Sequence, residues 1–215
     1  MVGELVKKLC EIGSEFRYSV DVETDKVVRI SFYREDYFDN GYGLYGYVPI
    51  EFIVEIHPDS KKAVIIQKVA GMTEEEFEKY EEEVADKLIP ELGYGYDCIY
   101  NFEEAVDYLL RHKIASREEL DPIIKRFEEL TSALDNAVSD EEKDTIINII
   151  EDEVCDRLRE LFEATPLELI NANNYYELVS MAKSSVFDAG YNEYIEFVSQ
   201  LNNTLEEYGY QVEII

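Results

Sequence analysis

The sequence predicts an α+β protein in which a four-stranded antiparallel sheet covered by helices is followed by an all-α helical bundle. Apolar and polar residues alternate through 16–32 and 50–66, which is the period of a half-buried strand. Residues 2–12 and 73–89 flank these strands and carry apolar residues at helical spacing. A sheet with one apolar face needs a cover, which these helices can supply. The predicted N-terminal unit is therefore α-ββ-ββ-α.

The strand residues form two predicted hairpins in series. In the first, a polar turn at 23–26 separates Phe16–Val22 from Val28–Phe32, and in the second a turn at 57–61 separates Ile50–Ile56 from Val64–Ile66. The segment 35–48 between the hairpins is too rich in glycine for a strand and too long for a tight turn. We therefore predict a loop there, and loops of this length are mobile or functional.

The helices are predicted from their start and stop signals. Gly13 should end the first helix. Thr73 and Glu76 form a capping box, which predicts the start of the acidic helix at the end of the sheet domain. Gly-rich residues 93–97 form the predicted linker, which divides the chain into a sheet domain, 1–92, and an acidic helical domain, 93–215. Further starts are predicted at Asn101, Asp121, Ser139, Thr165 and Asn192. The helix from Thr165 should be short and be followed by a separate helix through 176–186. A single turn is predicted at Ser116 and a short terminal strand over 210–214.

Composition limits the class of protein. The sequence contains no run of about 18 apolar residues, so we predict no membrane span. Residues 1–8 lack the apolar core of a signal peptide. Cys10, Cys98 and Cys155 are far apart and odd in number, which argues against a disulfide framework and for a reducing compartment. We therefore expect a cytoplasmic protein with no membrane partner.

Charge is the most unusual property of the chain. There are 49 acidic and 20 basic residues, giving a net charge of −29, and residues 101–215 hold 27 of the acids against 9 bases. Such a surface repels nucleic acid and attracts basic partners. It could also serve only to keep the protein soluble, or reflect adaptation to high salt, although Glu outnumbers Asp.

The densest acidic run has seven glutamates between residues 74 and 83. On a helix this is about 2 Å of axis per charge, close to the ~1.7 Å of duplex DNA. A second cluster lies at 151–156, and tyrosines in the Gly-rich segments offer aromatic contacts. The predicted partner-binding residues are Glu74, Glu75, Glu78, Glu81, Glu82, Glu151, Asp152, Asp156, Tyr42, Tyr45, Tyr94 and Tyr96.

No motif predicts a catalytic site or a cofactor. Gly41, Gly43 and Gly46 match a dinucleotide-binding pattern, but Pro49 and a strand follow where that pattern requires a helix. A kinase is excluded because the chain lacks the catalytic-loop motifs. His57 and His112 have no ligand at metal spacing, so no metal site is predicted.

These observations favour a non-enzymatic protein that occupies the basic surface of a nuclease or other nucleic-acid-binding enzyme. It would inhibit as a DNA mimic, like the anti-restriction or anti-CRISPR proteins of viruses and mobile elements, and it would not bind nucleic acid itself. The αββββα order resembles secretion chaperones and double-stranded-RNA-binding domains in topology alone. An alternative is therefore a chaperone- or immunity-type protein that uses the sheet face or an apolar groove. An enzyme with a carboxylate-bound metal is a third possibility.

Overall fold

The computed structural model describes residues 2–188 and 190–215 and confirms the α+β class. The helices are α1 Val2–Glu15, α2 Glu74–Val84, α3 Tyr96–Arg111, α4 Arg117–Asn136, α5 Asp140–Ile150, α6 Asp156–Phe162, α7 Leu167–Lys183 and α8 Glu193–Glu207. The strands are β1 Ser19–Thr24, β2 Val28–Asp39, β3 Tyr45–His57, β4 Lys62–Val69 and β5 Gln211–Ile214. A π-helical segment, Glu151–Cys155, joins α5 to α6. None of the described helices has the length and apolar character needed to cross a membrane.

The strands form one sheet in the order β1-β2-β3-β4-β5. The first four are antiparallel neighbours, as the two predicted hairpins require. The fifth strand makes the sheet larger than predicted, because the alternating residues near the C-terminus pair in parallel with β4, Val212 opposite Ala63.

The predicted loop at 35–48 is largely strand, so this prediction is wrong. Tyr37 pairs with Tyr47 and Asp39 with Tyr45, and only residues 40–44 connect β2 to β3. The two strands extend beyond their outer neighbours, because β1 pairs with β2 only as far as Tyr33 and β4 pairs with β3 only from Ile50. We call this two-stranded extension, residues 34–39 and 45–49, the arm. The arm lacks the usual alternation of apolar and polar residues, because one of its faces carries Tyr and acidic residues and the other is only partly apolar.

The contacts divide the chain into two units. Unit 1 contains residues 1–83 and 174–215, and unit 2 contains residues 84–173. This differs from the predicted division at residue 93, since the C-terminal part of α7, α8 and β5 belong with the sheet. The reason is that the apolar faces of α7 and α8 fill the core over one face of that sheet, with Val179, Leu201 and Leu205 fully buried.

Phe197 of α8 stands at the centre of the unit 1 core. It is fully buried, and its ring centroid lies 4.5 Å from that of Tyr18 and 5.3 Å from that of Phe32. Phe16 and Phe52 lie at 5.2 Å from the same ring. Helix α1 adds Leu5 and Leu9 to this core.

Several helix limits differ from those predicted. Helix α1 continues through Gly13, where a Cβ would lie 2.6 Å from the Phe32 ring, so this glycine permits close packing and does not end the helix. Helix α3 begins before Asn101, whose side chain instead donates to the carbonyl of Glu91. Helix α4 begins after Ser116 and includes Pro122, because Ser116 and Glu119 form a complete capping box. The two helices predicted between 165 and 186 form the single helix α7.

Unit 2 has its own core, which includes Phe102, Leu109, Leu120 and Leu158. Within it, a disulfide joins Cys98 of α3 to Cys155 of the π-helical segment, with the two Cα atoms 6.4 Å apart. The argument from cysteine number and spacing against a disulfide is therefore wrong for this pair. That argument also supported the reducing compartment, and the cytoplasmic location stays a prediction.

Candidate partner-binding surfaces

Helix α2 presents a row of exposed carboxylates. Glu74, Glu78 and Glu82 follow one another at four-residue spacing, about 6 Å apart along the axis, and all three are exposed. Among the described residues, none of the three forms an ion pair or hydrogen bond through its side chain. We call these three residues the α2 row. Like charges at this spacing destabilise a helix slightly, so the row has no structural benefit of its own.

Three other acidic residues of α2, Glu75, Glu76 and Glu81, have structural partners, whereas Glu83 is exposed and has none among the described residues. Glu75 pairs with Lys79 at 2.7 Å, and the Glu81 carboxylate accepts a hydrogen bond from the Tyr176 hydroxyl at 2.7 Å. Glu81, a predicted partner-binding residue, is therefore partly buried and already hydrogen-bonded within the chain. Glu76 closes the capping box with Thr73, and this hydrogen bond to the backbone lowers the pKa of Glu76.

The helix is fixed to unit 1 by its aromatic side. Phe77 is fully buried, and its ring stacks on that of Tyr176 at 6.1 Å between centroids. Tyr80 lies between Phe77 and Tyr175, with centroids 5.9 and 6.4 Å away. The α2 row is therefore held in a defined position.

The second predicted cluster is neutralised within unit 2. Arg159 contacts Glu151 at 2.6 Å and Asp156 at 2.7 Å, and Glu151 also accepts a hydrogen bond from the backbone N–H of Gly95. Arg126 pairs with Glu153 at 2.6 Å, which leaves Asp152 as the exposed acid of this group without an ion pair among the described residues. This cluster fixes the start of α3 and offers little free charge.

The predicted tyrosines also differ in their surroundings. The ring of Tyr94 lies 4.3 Å from the Arg159 guanidinium, so it already has a cation as partner. Tyr96 stacks on Tyr100 at 6.5 Å between centroids, and both are exposed on α3. The other two predicted tyrosines belong to unit 1: Tyr45 lies on the arm, and Tyr42 lies at its tip.

Four tyrosines, three on the arm and one directly before it, are exposed on one side of the sheet. Tyr33, Tyr37, Tyr45 and Tyr47 are 43%, 53%, 64% and 69% exposed. The strand register places them on the same face of β2 and β3 as three carboxylates, Glu35, Asp39 and Glu51. We call these seven residues the tyrosine face. The Tyr37 ring is its centre, with centroids 5.6 Å from Tyr47 and 6.1 Å from Tyr45.

Short contacts order the arm and its tip. Asn40 accepts hydrogen bonds from the N–H groups of Tyr42 and Leu44, and Gly41 and Gly43 supply the positive φ angles of the turn. Tyr42, at the tip, is 95% exposed. The Asn40 amide also donates to Glu177 of α7 at 2.6 Å.

Helix α7 supports the hidden side of the arm. Gly46 leaves room for Leu178, since a Cβ there would lie 3.1 Å from its Cδ1 atom. The neighbouring Tyr176 and Glu177 contact α2 and Asn40 respectively. One short part of α7 thus positions both the α2 row and the tyrosine face.

Two tyrosines of this face, Tyr33 and Tyr37, have raised pKa values and so stay neutral near neutral pH. Desolvation and the hydrogen bond to Glu35 raise the pKa of Tyr33. Desolvation and the negative charge of Asp39 raise the pKa of Tyr37. The face therefore combines neutral rings with charged carboxylates.

Sequence reasoning missed Tyr33, Tyr37 and Tyr47. The signal was the alternation of Tyr33, Glu35, Tyr37 and Asp39, which the glycines that follow led us to interpret as part of a loop. Because Pro49 continues as strand, the glycine motif makes no phosphate-binding turn.

One group of side chains in the described part of the chain has metal-ligand chemistry. Single ligand atoms of Cys98, Glu151 and Cys155 lie within 4.8 Å of one another. The two sulfurs are joined to each other, and Glu151 is paired with Arg159. This arrangement gives the group a structural role, and it adds no support to a metal-dependent enzyme.

No protein-family model, curated protein or solved structure matches the chain. The functional argument therefore depends on the surfaces themselves.

Proposed function

We propose that this protein is a non-enzymatic binding protein whose carboxylates occupy a basic, nucleic-acid-binding surface of a partner enzyme. The observation that carries the proposal is the α2 row: Glu74, Glu78 and Glu82 are exposed and without ion pairs among the described residues, on a helix held by buried aromatic contacts. A regular line of fixed negative charge matches a surface that normally binds phosphates. Occupation of that surface would inhibit the enzyme by competition.

The test is retention of proteins from a host extract on the immobilised chain, with mass spectrometry to identify them. Retained proteins should be nucleases or other nucleic-acid-binding enzymes, and a duplex DNA oligonucleotide should displace them. Retention should fall steeply between about 50 and 500 mM salt, because screening weakens exposed charge pairs. The proposal would be contradicted if the amount of retained protein changed neither with salt concentration nor with added duplex DNA.

A matched pair of triple variants tests the site. Glu74→Gln, Glu78→Gln and Glu82→Gln together should weaken binding to an identified partner about tenfold, since exposed ion pairs contribute roughly 0.5 kcal/mol each. The control neutralises Glu104, Glu118 and Asp144, which are exposed on unit 2 and make the same change in net charge. An equal loss in both variants would show that overall charge, and not the α2 row, determines binding.

The tyrosine face favours the second candidate function, in which a chaperone- or immunity-type protein binds through its sheet. Four exposed aromatic side chains on one side of two strands are typical of an interface anchor. If this candidate holds, the α2 row variant will bind the partner as tightly as the wild type, and changes on the sheet will abolish binding.

A further inference from the structure

Among the described residues, no Lys or Arg side chain lies over a ring of the tyrosine face, although Lys68 of β4 is opposite Glu51 in the strand register, at the border of the face. Five Lys or Arg side chains make six such contacts with aromatic rings elsewhere in the described residues, and none of those rings belongs to the tyrosine face. Its own carboxylates, Glu35 and Asp39, accept hydrogen bonds from Tyr33 and Tyr37 and so lie beside the rings. This arrangement is favourable for a cation, because ring faces and carboxylates both attract positive charge.

The opposite side of the same strand shows what such a set of groups can hold. Arg34 lies 4.5 Å from the ring centroid of Tyr18 and 5.4 Å from that of Tyr194. Its guanidinium also contacts Asp36 and Glu193, each at 2.8 Å. Two tyrosine rings and two carboxylates thus bind one arginine on the covered side of the arm.

We propose that the tyrosine face binds arginine side chains of an extended, Arg-rich segment of the partner. Arginine suits it better than lysine, because the planar guanidinium stacks on rings while it also binds carboxylates. The face does not suit nucleic acid, since Glu35, Asp39 and Glu51 would repel phosphates. The inference rests on the proposed function in one respect, that the partner is basic.

The strand geometry indicates an extended ligand. Residues on one face of a strand repeat every ~6.8 Å, so arginines at every second position of an extended segment would meet successive rings. β1 pairs with β2 only as far as Tyr33, and no other described strand pairs with that edge of β2 from Arg34 to Asp39. Extended peptides commonly bind along such an edge.

The test uses two synthetic peptides of equal charge, one alternating Arg and Gly and the other alternating Lys and Gly. Binding to the full chain is measured by titration calorimetry at about 150 mM salt, and amide chemical shifts in NMR spectra locate the site. We expect tighter binding of the Arg peptide, with the largest shifts in residues 33–39 and 45–51.

Two triple variants separate the rings from the hydroxyl groups. Tyr37, Tyr45 and Tyr47 changed together to Thr, which keeps strand propensity, should lower affinity for the Arg peptide about tenfold. The same three changed to Phe should bind within about twofold of the wild type. Tyr100→Ala with Tyr191→Ala is the control, because both tyrosines are exposed and lie outside the arm. Amide spectra of each variant show whether it is folded, and Tyr47→Thr alone gives a milder change.

Equal affinity for the two peptides, or unchanged affinity in the Thr variant, would overturn the inference. Loss of self-association in that variant, without any binding of the Arg peptide, would assign the face to a second copy of the chain and also overturn it. The proposed function has a separate test: it fails if the partner is retained equally at low and high salt and by the α2 row variant. Arg preference at the arm can hold even in that case.

Discussion

Replacement of Phe197 by alanine should destabilise unit 1 strongly. The side chain is fully buried, and four aromatic rings surround it with centroids 4.5–5.3 Å away. Phe→Ala changes in cores cost about 3–5 kcal/mol through lost burial and the cavity that remains. Each lost aromatic pair adds roughly 0.5–1.5 kcal/mol, so we expect the upper part of that range. Such a loss is a large fraction of a typical total stability of about 5–15 kcal/mol.

The assay is native-state amide hydrogen exchange, which measures opening free energies in the two units separately. Protection should fall for β2 and β3 and stay unchanged for α3 and α4, whose core in unit 2 does not contain Phe197. Tyr191→Ala is the control, since this 83% exposed side chain should cost less than about 0.5 kcal/mol. A loss below about 1 kcal/mol for Phe197→Ala would refute the packing of α8 on the sheet.

Three further predictions concern the disulfide, the helix caps and the partly buried ion pairs of Arg34. Reduction of Cys98–Cys155 should lower the free energy of unfolding of unit 2 by up to about 4 kcal/mol, measured in urea, because the bond closes a loop with a sequence separation of 57. Hydrogen bonds to the capped backbone lower the pKa values of Glu76 and Glu119 in the folded protein. The stability that these caps add is therefore fully present above the unfolded-state pKa and is lost as pH falls through the lower folded-state pKa. NMR titration of the two carboxylates measures these pKa values. Arg34→Lys should cost about 1–3 kcal/mol in thermal unfolding, since one ammonium cannot make all the guanidinium contacts.

Each of these expectations has a result that contradicts it. Identical urea midpoints with and without reductant would show that the disulfide adds no stability. Titration of Glu76 or Glu119 at the ordinary glutamate pKa would show that the cap hydrogen bonds do not form in solution. A lysine at position 34 that preserves the melting temperature would show that its charge alone is sufficient.

The sequence correctly predicted those helices and strands for which the local residue pattern indicates the same structure as the packing in the folded protein. The hairpin turns and the caps at Thr73, Ser139 and Asn192 follow from short-range chemistry, and the structure confirms them. The arm was missed because its glycines and tyrosines have low apolar content, although cross-strand pairing still satisfies its backbone. Gly13 was interpreted as a stop, since the partner that requires a glycine, Phe32, is nearby only after folding.

The candidate site was predictable only in part. Charge density identified the α2 row, but the local sequence does not distinguish Glu78 from Glu151. Glu78 has no ion pair in the described part of the chain, whereas Arg159, eight residues further along, neutralises Glu151. The grouping of residues 174–215 with the sheet depends on which core the apolar face of α8 fills. Periodicity alone does not specify that choice.

The division of unit 1 between two distant stretches of chain has a consequence during synthesis. The strands of residues 1–83 emerge from the ribosome before the 90 residues of unit 2, and the helix that carries Phe197 follows later still. Residues 84–207 must be made before α8 is complete, so at ~5–20 residues per second the apolar side of the newborn sheet waits roughly 6–25 s for this part of its cover. During that interval unit 2 can already fold, while the sheet is a natural client for cellular chaperones.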